Sequence, residues 1–169
     1  MQIHVALCDL TELPVDAIVT PTNSQAQMSY GVAQQVVKRG GRTIEEEARE
    51  AAPIAVGAAV VTTGGVLYAK HVIHVPTTED PSGKPTIESV RRATRAALIA
   101  AAAKNLPVIG LPPMAGHSPS VPLDETARAM VDELRAHKAA IPQQVYLVSL
   151  KQEMIFAYEE ALRNASIPG

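Results

Sequence analysis

Residues Cys8–Asn23 read CDLTELPVDAIVTPTN, and the fold follows from how this stretch changes character. An apolar run, IHVAL (3–7), leads into it. An acid, Asp9, follows, then a second apolar run, DAIVT (16–20), and the stretch closes on a polar amide, Asn23. Short apolar runs bounded by polar or proline-containing turns read as buried strands. Asp9 and Asn23 therefore fall where a strand gives way to a loop. In open α/β sheets that rim is where nucleotide-like ligands settle.

Outward from this stretch, strands and helices alternate. Gln2–Leu7 and Asp16–Thr20 are the first two strands. GVAQQVVKR (31–39) places Val32, Val36 and Val37 on one side of a helix, which Gly40-Gly41 ends. A second helix, TIEEEAREAA, begins near Thr43 as N-cap, with Glu46 three residues on as in a capping box, and Pro53 stops it. Two β-branched runs, 57–63 and 70–75, flank a Gly64-Gly65 turn, and a polar loop occupies 77–86. A long helix over 87–105 is alanine-rich in its second half, the half expected to be buried. A strand (107–111), a proline-rich loop (112–122), a helix from Asp124 or Thr126 to His137, a strand (145–150) and a helix over 152–164 complete the order. This alternation predicts a three-layer α/β/α sandwich on a mostly parallel sheet, in one domain spanning 1–169.

Composition narrows the function. A formal net charge of −2 with mixed signs supplies no basic field for a phosphate backbone, so nonspecific nucleic-acid binding is not expected. Cys8 is the only cysteine, which rules out an internal disulfide and fits a reducing, cytoplasmic setting. MQIHVALCDL lacks the basic start and apolar run of a signal peptide, and AALIAAAA (96–103) is too short to span a bilayer. The Walker-type GxxxxGK[ST], GxSxG and GxGxxG patterns do not occur. Metal binding is not expected, because His71 and His74 are three apart on a strand and point to opposite faces. The EEEARE run (45–50) and RRATR (91–95) read as solvated helix faces, and Cys8 as an inert thiol.

Several segments, in this order, resemble the macro domain, the ADP-ribose-binding module. They are CDLTELPVDAIVTPTN (8–23), GVAQQVVKRGG (31–41), GAAVVTTGGVLYAKHVIH (57–74), VIGLPPMAG (108–116) and VYLVSL (145–150) ahead of a terminal helix. The resemblance implies a mixed six- or seven-stranded sheet between helices, with a ligand cleft along the C-terminal strand ends. It implies that Asp9 accepts a hydrogen bond from the adenine amino group, that the Leu10 amide meets the same ring, and that Asn23 contacts the distal ribose. Gly31, Val32 and Ala33 would present helix N-terminal amides to the diphosphate, a favourable arrangement without any Lys or Arg. Ala115, Gly116, His117, Ser118 and Ser120 would form a second phosphate loop, and Leu150 would pack on the base. The implied partner is an ADP-ribose-type small molecule or an ADP-ribosylated protein; no cofactor, membrane or metal is implied.

Departures from the family pattern set further expectations. The first glycine-rich loop is QAQMSYG (25–31), in which Gly31 alone survives; the second is AGHSPS (115–120), whose Pro119 cannot donate a backbone hydrogen bond. Ala33 stands where the ADP-ribosyl-hydrolysing branch has a water-positioning Asp, so that mechanism lacks its proton acceptor. A binding module with weakened or altered specificity is the first expectation. A hydrolase of an ADP-ribose ester such as O-acetyl-ADP-ribose, using Asn23 or a substrate phosphate to orient water with His117 as helper, is the second. The third is a degenerate domain working through protein contacts, its cleft filled by Gln27, Met28 or Tyr30.

Overall fold

The strands are β1 (Gln2–Leu7), β2 (Ala17–Asn23), β3 (Val60–Thr63), β4 (His71–Thr78), β5 (Val108–Leu111) and β6 (Gln144–Ser149). The helices are α1 (Gly31–Gly40), α2 (Arg42–Glu50), α3 (Ile87–Ala103), α4 (Leu123–Ala136) and α5 (Gln152–Asn164), with a 3-10 turn at Leu10–Glu12. They come from a computed structural model that describes residues 1–116 and 118–164. The sheet order is β1-β6-β5-β2-β4-β3, parallel throughout except for the antiparallel β3–β4 pair. Among the described residues no helix is long and apolar enough to cross a membrane.

Period-two alternation divides the core between the two faces of the sheet. Val19, Ile73, Ile109 and Leu147 face α3, α4 and α5, where Ala93, Ala97 and Ala101 of α3 are fully buried. Small side chains there let α3 lie close on the strands. Ile18, Val72 and Val148 face the other way, toward Val36 of α1 and Ile44 of α2. The result is the three-layer α/β/α arrangement, here with six strands.

The sheet parts where the site forms. From β2 the chain crosses to the edge strand β3 and comes back through β4, and after α3 it passes to β5 and then β6 on the other side of β2, so the topology reverses between β2 and β5. Their ladder pairs only Ala17 with Ile109 and Ile18 with Gly110. Beyond Ile18 that side of β2 has no ladder to interrupt, so Pro21 sits inside a strand without breaking one. A crevice at a topological switch point is the expected ligand position in this class of sheet.

Two local expectations are corrected. α2 begins at Arg42 with Gly41 (φ 105°) as its cap and no side-chain capping bond, so Thr43 is not the N-cap. α1 runs into α2 through Gly41, which leaves no extended residue for Thr43 to cap from. The EEEARE run is also more than a solvated face: Glu45 accepts from the Met28 amide (2.8 Å) and Glu47 from the Thr63 amide (3.0 Å). These two acids fasten α2 to the 24–30 loop and to β3. RRATR ties helices together, with Arg91 and Arg95 meeting Asp132 and Glu133 of α4.

Candidate functional site

Two hollows open along the C-terminal ends of the strands, with Val32 as their common wall. The smaller, about 120 Å³, is bounded by Asp9, Leu10, Val32, Gln35, Pro113 and Leu150 among others. The larger, about 240 Å³, lies between the end of β2 (Pro21, Thr22), the start of α1 (Tyr30, Gly31, Val32), the end of β4 (Thr77, Thr78) and the loop after β5 (Met114, Ala115, Gly116, Ser118). No Lys, Arg, Asp or Glu lines the larger hollow among the described residues. An anion there meets no charged side chain among the described residues; besides the hydroxyls on the wall, its available partners are main-chain donors.

Those donors are at the start of α1. The helical ladder begins with the Gln34 amide donating to the Tyr30 carbonyl (3.2 Å). The amides of Gly31, Val32 and Ala33 precede it, and among the described residues no side chain caps them. Helix N-termini carry orphan N–H groups and the positive end of the macrodipole, and α1 has no acid in its first turn to neutralise either. Gly31 adopts φ +61°, and nothing lies within 4 Å of where its Cβ would stand. The chain turns there in a conformation that favours glycine and leaves the approach open.

Asp9 divides its carboxylate between two jobs. One oxygen, Oδ1, accepts from the Thr11 amide (2.9 Å) and hydroxyl (2.7 Å), which fixes the 3-10 turn. The other, Oδ2, has only the Arg39 guanidinium at 3.9 Å, on a side chain that is itself half exposed. Oδ2 is thus an oriented acceptor on the wall of the smaller hollow. Leu150, 70% exposed, forms an apolar outer wall. Cys8 shares this wall, and burial, followed by the nearby Asp9 and Glu12 charges, pushes its thiol pKa up.

Asn23 is placed differently from the ligand-facing position the resemblance implies. It is fully buried and lies on the wall of neither hollow. Its Nδ2 donates to the Gln27 carbonyl (3.0 Å) and the Tyr30 hydroxyl (3.0 Å), and its Oδ1 accepts from the Gln25 (3.1 Å) and Gln27 (3.2 Å) amides. A primary amide has two donor hydrogens and two acceptor lone pairs, so this side chain is saturated by its own loop.

The loop after β5 is likewise turned inward. The Gly116 and Ser118 amides donate to the Pro113 and Ala115 carbonyls. Ser118 and Ser120 pair through their hydroxyls (2.9 Å), and the Ser120 hydroxyl donates to the Pro85 carbonyl (2.7 Å). Ala115, Gly116 and Ser118 line the larger hollow, whereas Ser120 is directed at Pro85. His117 lies outside the described residues. Ala33 packs its methyl into the core with Leu10, Ile18 and Val36 and lines neither hollow.

Of the three side chains expected to fill the cleft, one is on its wall. Met28 is buried beneath α1 with Val36 and Ile44, Gln27 lines neither hollow, and Tyr30 alone reaches the larger one. The cleft is open. Gln35, Thr77 and Thr78 also line the hollows, beyond the residues expected from sequence. Gln35 follows Val32 by three residues, a spacing that puts both on one helix face, and this was the available signal. Thr77 and Thr78 come to the site because β4 runs past Pro76, which the sequence pattern does not disclose.

A family model described as Macro domain matches residues 19–130. An uncharacterized protein of Aquifex aeolicus is 43% identical over 162 residues, covering 96% of this chain and 98% of its own length. The fold is similar to that of a Trypanosoma brucei macrodomain solved in complex with ADP-ribose (TM-score 0.81, 23% identity, covering 95% of this chain and 69% of that one). It is also similar to an Oceanobacillus iheyensis macrodomain solved with ADP (TM-score 0.81, 18% identity, 95% and 90%). With the family model spanning most of the chain, this protein belongs to the macro domain family.

Proposed function

We propose that the chain is a binding module for ADP-ribose or a related adenine nucleotide, free or carried on a modified protein, in a cytoplasmic setting. One observation carries this reading: an open cleft has the uncapped start of α1, with Gly31 and Val32 on its wall, at one end and Asp9 Oδ2, bound to no hydrogen-bond donor, at the other, with no Lys, Arg, Asp or Glu lining the larger hollow among the described residues. In this reading the base lies against Leu150 and donates its exocyclic amino group to Asp9, while the Leu10 amide meets the ring. The pyrophosphate accepts from the start of α1, a helix N-terminus facing an anion. Met114, Ala115 and Gly116 close the opposite wall. The loop after β5 spends its Gly116 and Ser118 amides internally, which is the basis for expecting altered affinity. Hydrolysis finds no support among the described side chains, since Ala33 has no proton acceptor and Asn23 has no unused hydrogen-bonding capacity. Complexes of two similar folds with ADP-ribose and ADP favour the same ligand class.

The test is calorimetric titration of ADP-ribose, ADP and adenosine into wild type and Asp9→Asn. The substitution keeps an oxygen for Thr11 and turns the free acceptor into a donor. Adenine-ligand affinity is expected to fall about tenfold or more, the scale of a hydrogen bond to a charged group. Heat absent for both diphosphates at millimolar concentration contradicts the reading.

A further inference from the structure

Tyr30 lines the larger hollow beside Gly31, at the start of α1. Its phenol oxygen accepts from Asn23 Nδ2 at 3.0 Å and so occupies the last donor of a buried amide. The Tyr30 hydroxyl hydrogen has no acceptor among the described residues, and the ring stands 45% exposed on the wall of the larger hollow beside Gly31. Among the described residues, Tyr30 thus presents a phenolic O–H, a donor, to a ligand at that end. It adjoins the free amides of 31–33, which are donors too. Of the nearby hydroxyls, Thr78 donates to the Asp80 carbonyl, Ser118 is paired with Ser120, and Thr22 Oγ1 lies buried without a partner among the described residues. A set of donors matches a group made only of acceptors. A terminal phosphate is such a group, whereas a second ribose brings hydroxyl hydrogens that need acceptors, and both lone pairs of Asn23 Oδ1 are filled.

We propose that Tyr30, in place of Asn23, is the specificity-determining side chain at the phosphate end of the cleft, and that it tunes the site toward an adenine nucleotide ending in a phosphate over one extended by a second ribose. A distal sugar that sought Asn23 would have to displace the phenol first. This inference rests on the nucleotide reading above and deepens it.

The test is titration of ADP and ADP-ribose into wild type, Tyr30→Phe and Tyr30→Gly, with thermal melts to verify folding. Wild type is expected to bind ADP at least as tightly as ADP-ribose. Tyr30→Phe, which keeps the ring and removes the donor, should weaken ADP about tenfold and ADP-ribose by less than threefold. Tyr30→Gly should shift the preference toward ADP-ribose by freeing the Asn23 donor. Tighter wild-type binding of ADP-ribose than of ADP overturns the proposal, as does a Tyr30→Phe variant in which both ligands are unchanged or equally weakened. Should Tyr30→Gly fail to fold, Tyr30→Phe decides alone. If neither ligand binds wild type, the nucleotide reading falls and takes the proposal with it, a result distinct from a reversed preference.

Discussion

Replacing Asn23 by alanine separates a side chain that builds the site from one that touches ligand. Its four hydrogen bonds, at 3.0 to 3.2 Å, hold the backbone of Gln25 and Gln27 and the Tyr30 hydroxyl. Removing the amide strands three backbone groups in a partly buried loop and leaves a void at a fully buried position. Each bond contributes about 1 kcal/mol net, and water can reach the outer part of the loop, so the expected loss is about 3 kcal/mol. In a domain of this size that corresponds to a fall in Tm of roughly 9 °C. Urea unfolding followed by circular dichroism, with a parallel calorimetric melt, measures both quantities. Asn23→Asp should lie between wild type and alanine, because a carboxylate still accepts from both glutamine amides but repels the Gln27 carbonyl. A change below about 0.5 kcal/mol in Asn23→Ala, the scale of an ordinary surface substitution, combined with complete loss of ligand binding, would refute the structural role assigned to this residue.

Two further substitutions have defined outcomes. Buried His74 bonds Thr62 Oγ1 at 2.8 Å while its Nδ1 has no partner, and burial lowers its pKa to about 4. Between pH 4 and 6.5 the unfolded chain binds the proton that the folded one refuses, so stability rises with pH across this window, is complete above 6.5, and is diminished by roughly 3 kcal/mol below 4. Urea midpoints measured at several pH values should show this component in wild type and not in His74→Leu; identical slopes for both proteins contradict it. Gly31→Ala places a methyl in open space but on a backbone at φ +61°, so it should cost about 1 kcal/mol of stability through strain alone. A neutral or stabilising result in the same unfolding assay would show that α1 starts in another conformation.

The sheet, the helices and their order were legible because the apolar residues repeat at two in the strands and at 3.6 in the helices. GVAQQVVKR and VYLVSL each carry enough repeats to fix one period. Boundaries were legible only where local chemistry agreed with tertiary context. Thr43-x-x-Glu46 matches a capping box, yet Gly41 joins two helices there and Arg42 is already helical. The box that forms is Thr86 with Ser89, where serine stands in place of the usual Glu or Gln. The apolar pattern of β2 ends at Thr20, and the strand's continuation through Pro21 depends on β5 having parted from it, a fact about the sheet and not about the strand. At the site, Asp9 and the residues at the start of α1 could be placed on the cleft from sequence. Saturation of Asn23 could not, because it depends on four distances set by the path of residues 24–30. Nor could the different fates of Met28 and Tyr30, one beneath α1 and the other on the cleft wall, be read from a loop without periodicity.

Recognition of a diphosphate by main-chain donors is tested most directly by amide chemical shifts. In ¹⁵N-labelled protein titrated with ADP, the largest perturbations are expected at the amides of Gly31, Val32 and Ala33, with a second group at Leu10. The same titration with adenosine should move Leu10 and leave 31–33 nearly unchanged. Saturation with ADP that leaves Gly31, Val32 and Ala33 in place, or perturbations centred on another surface of the molecule, would contradict it.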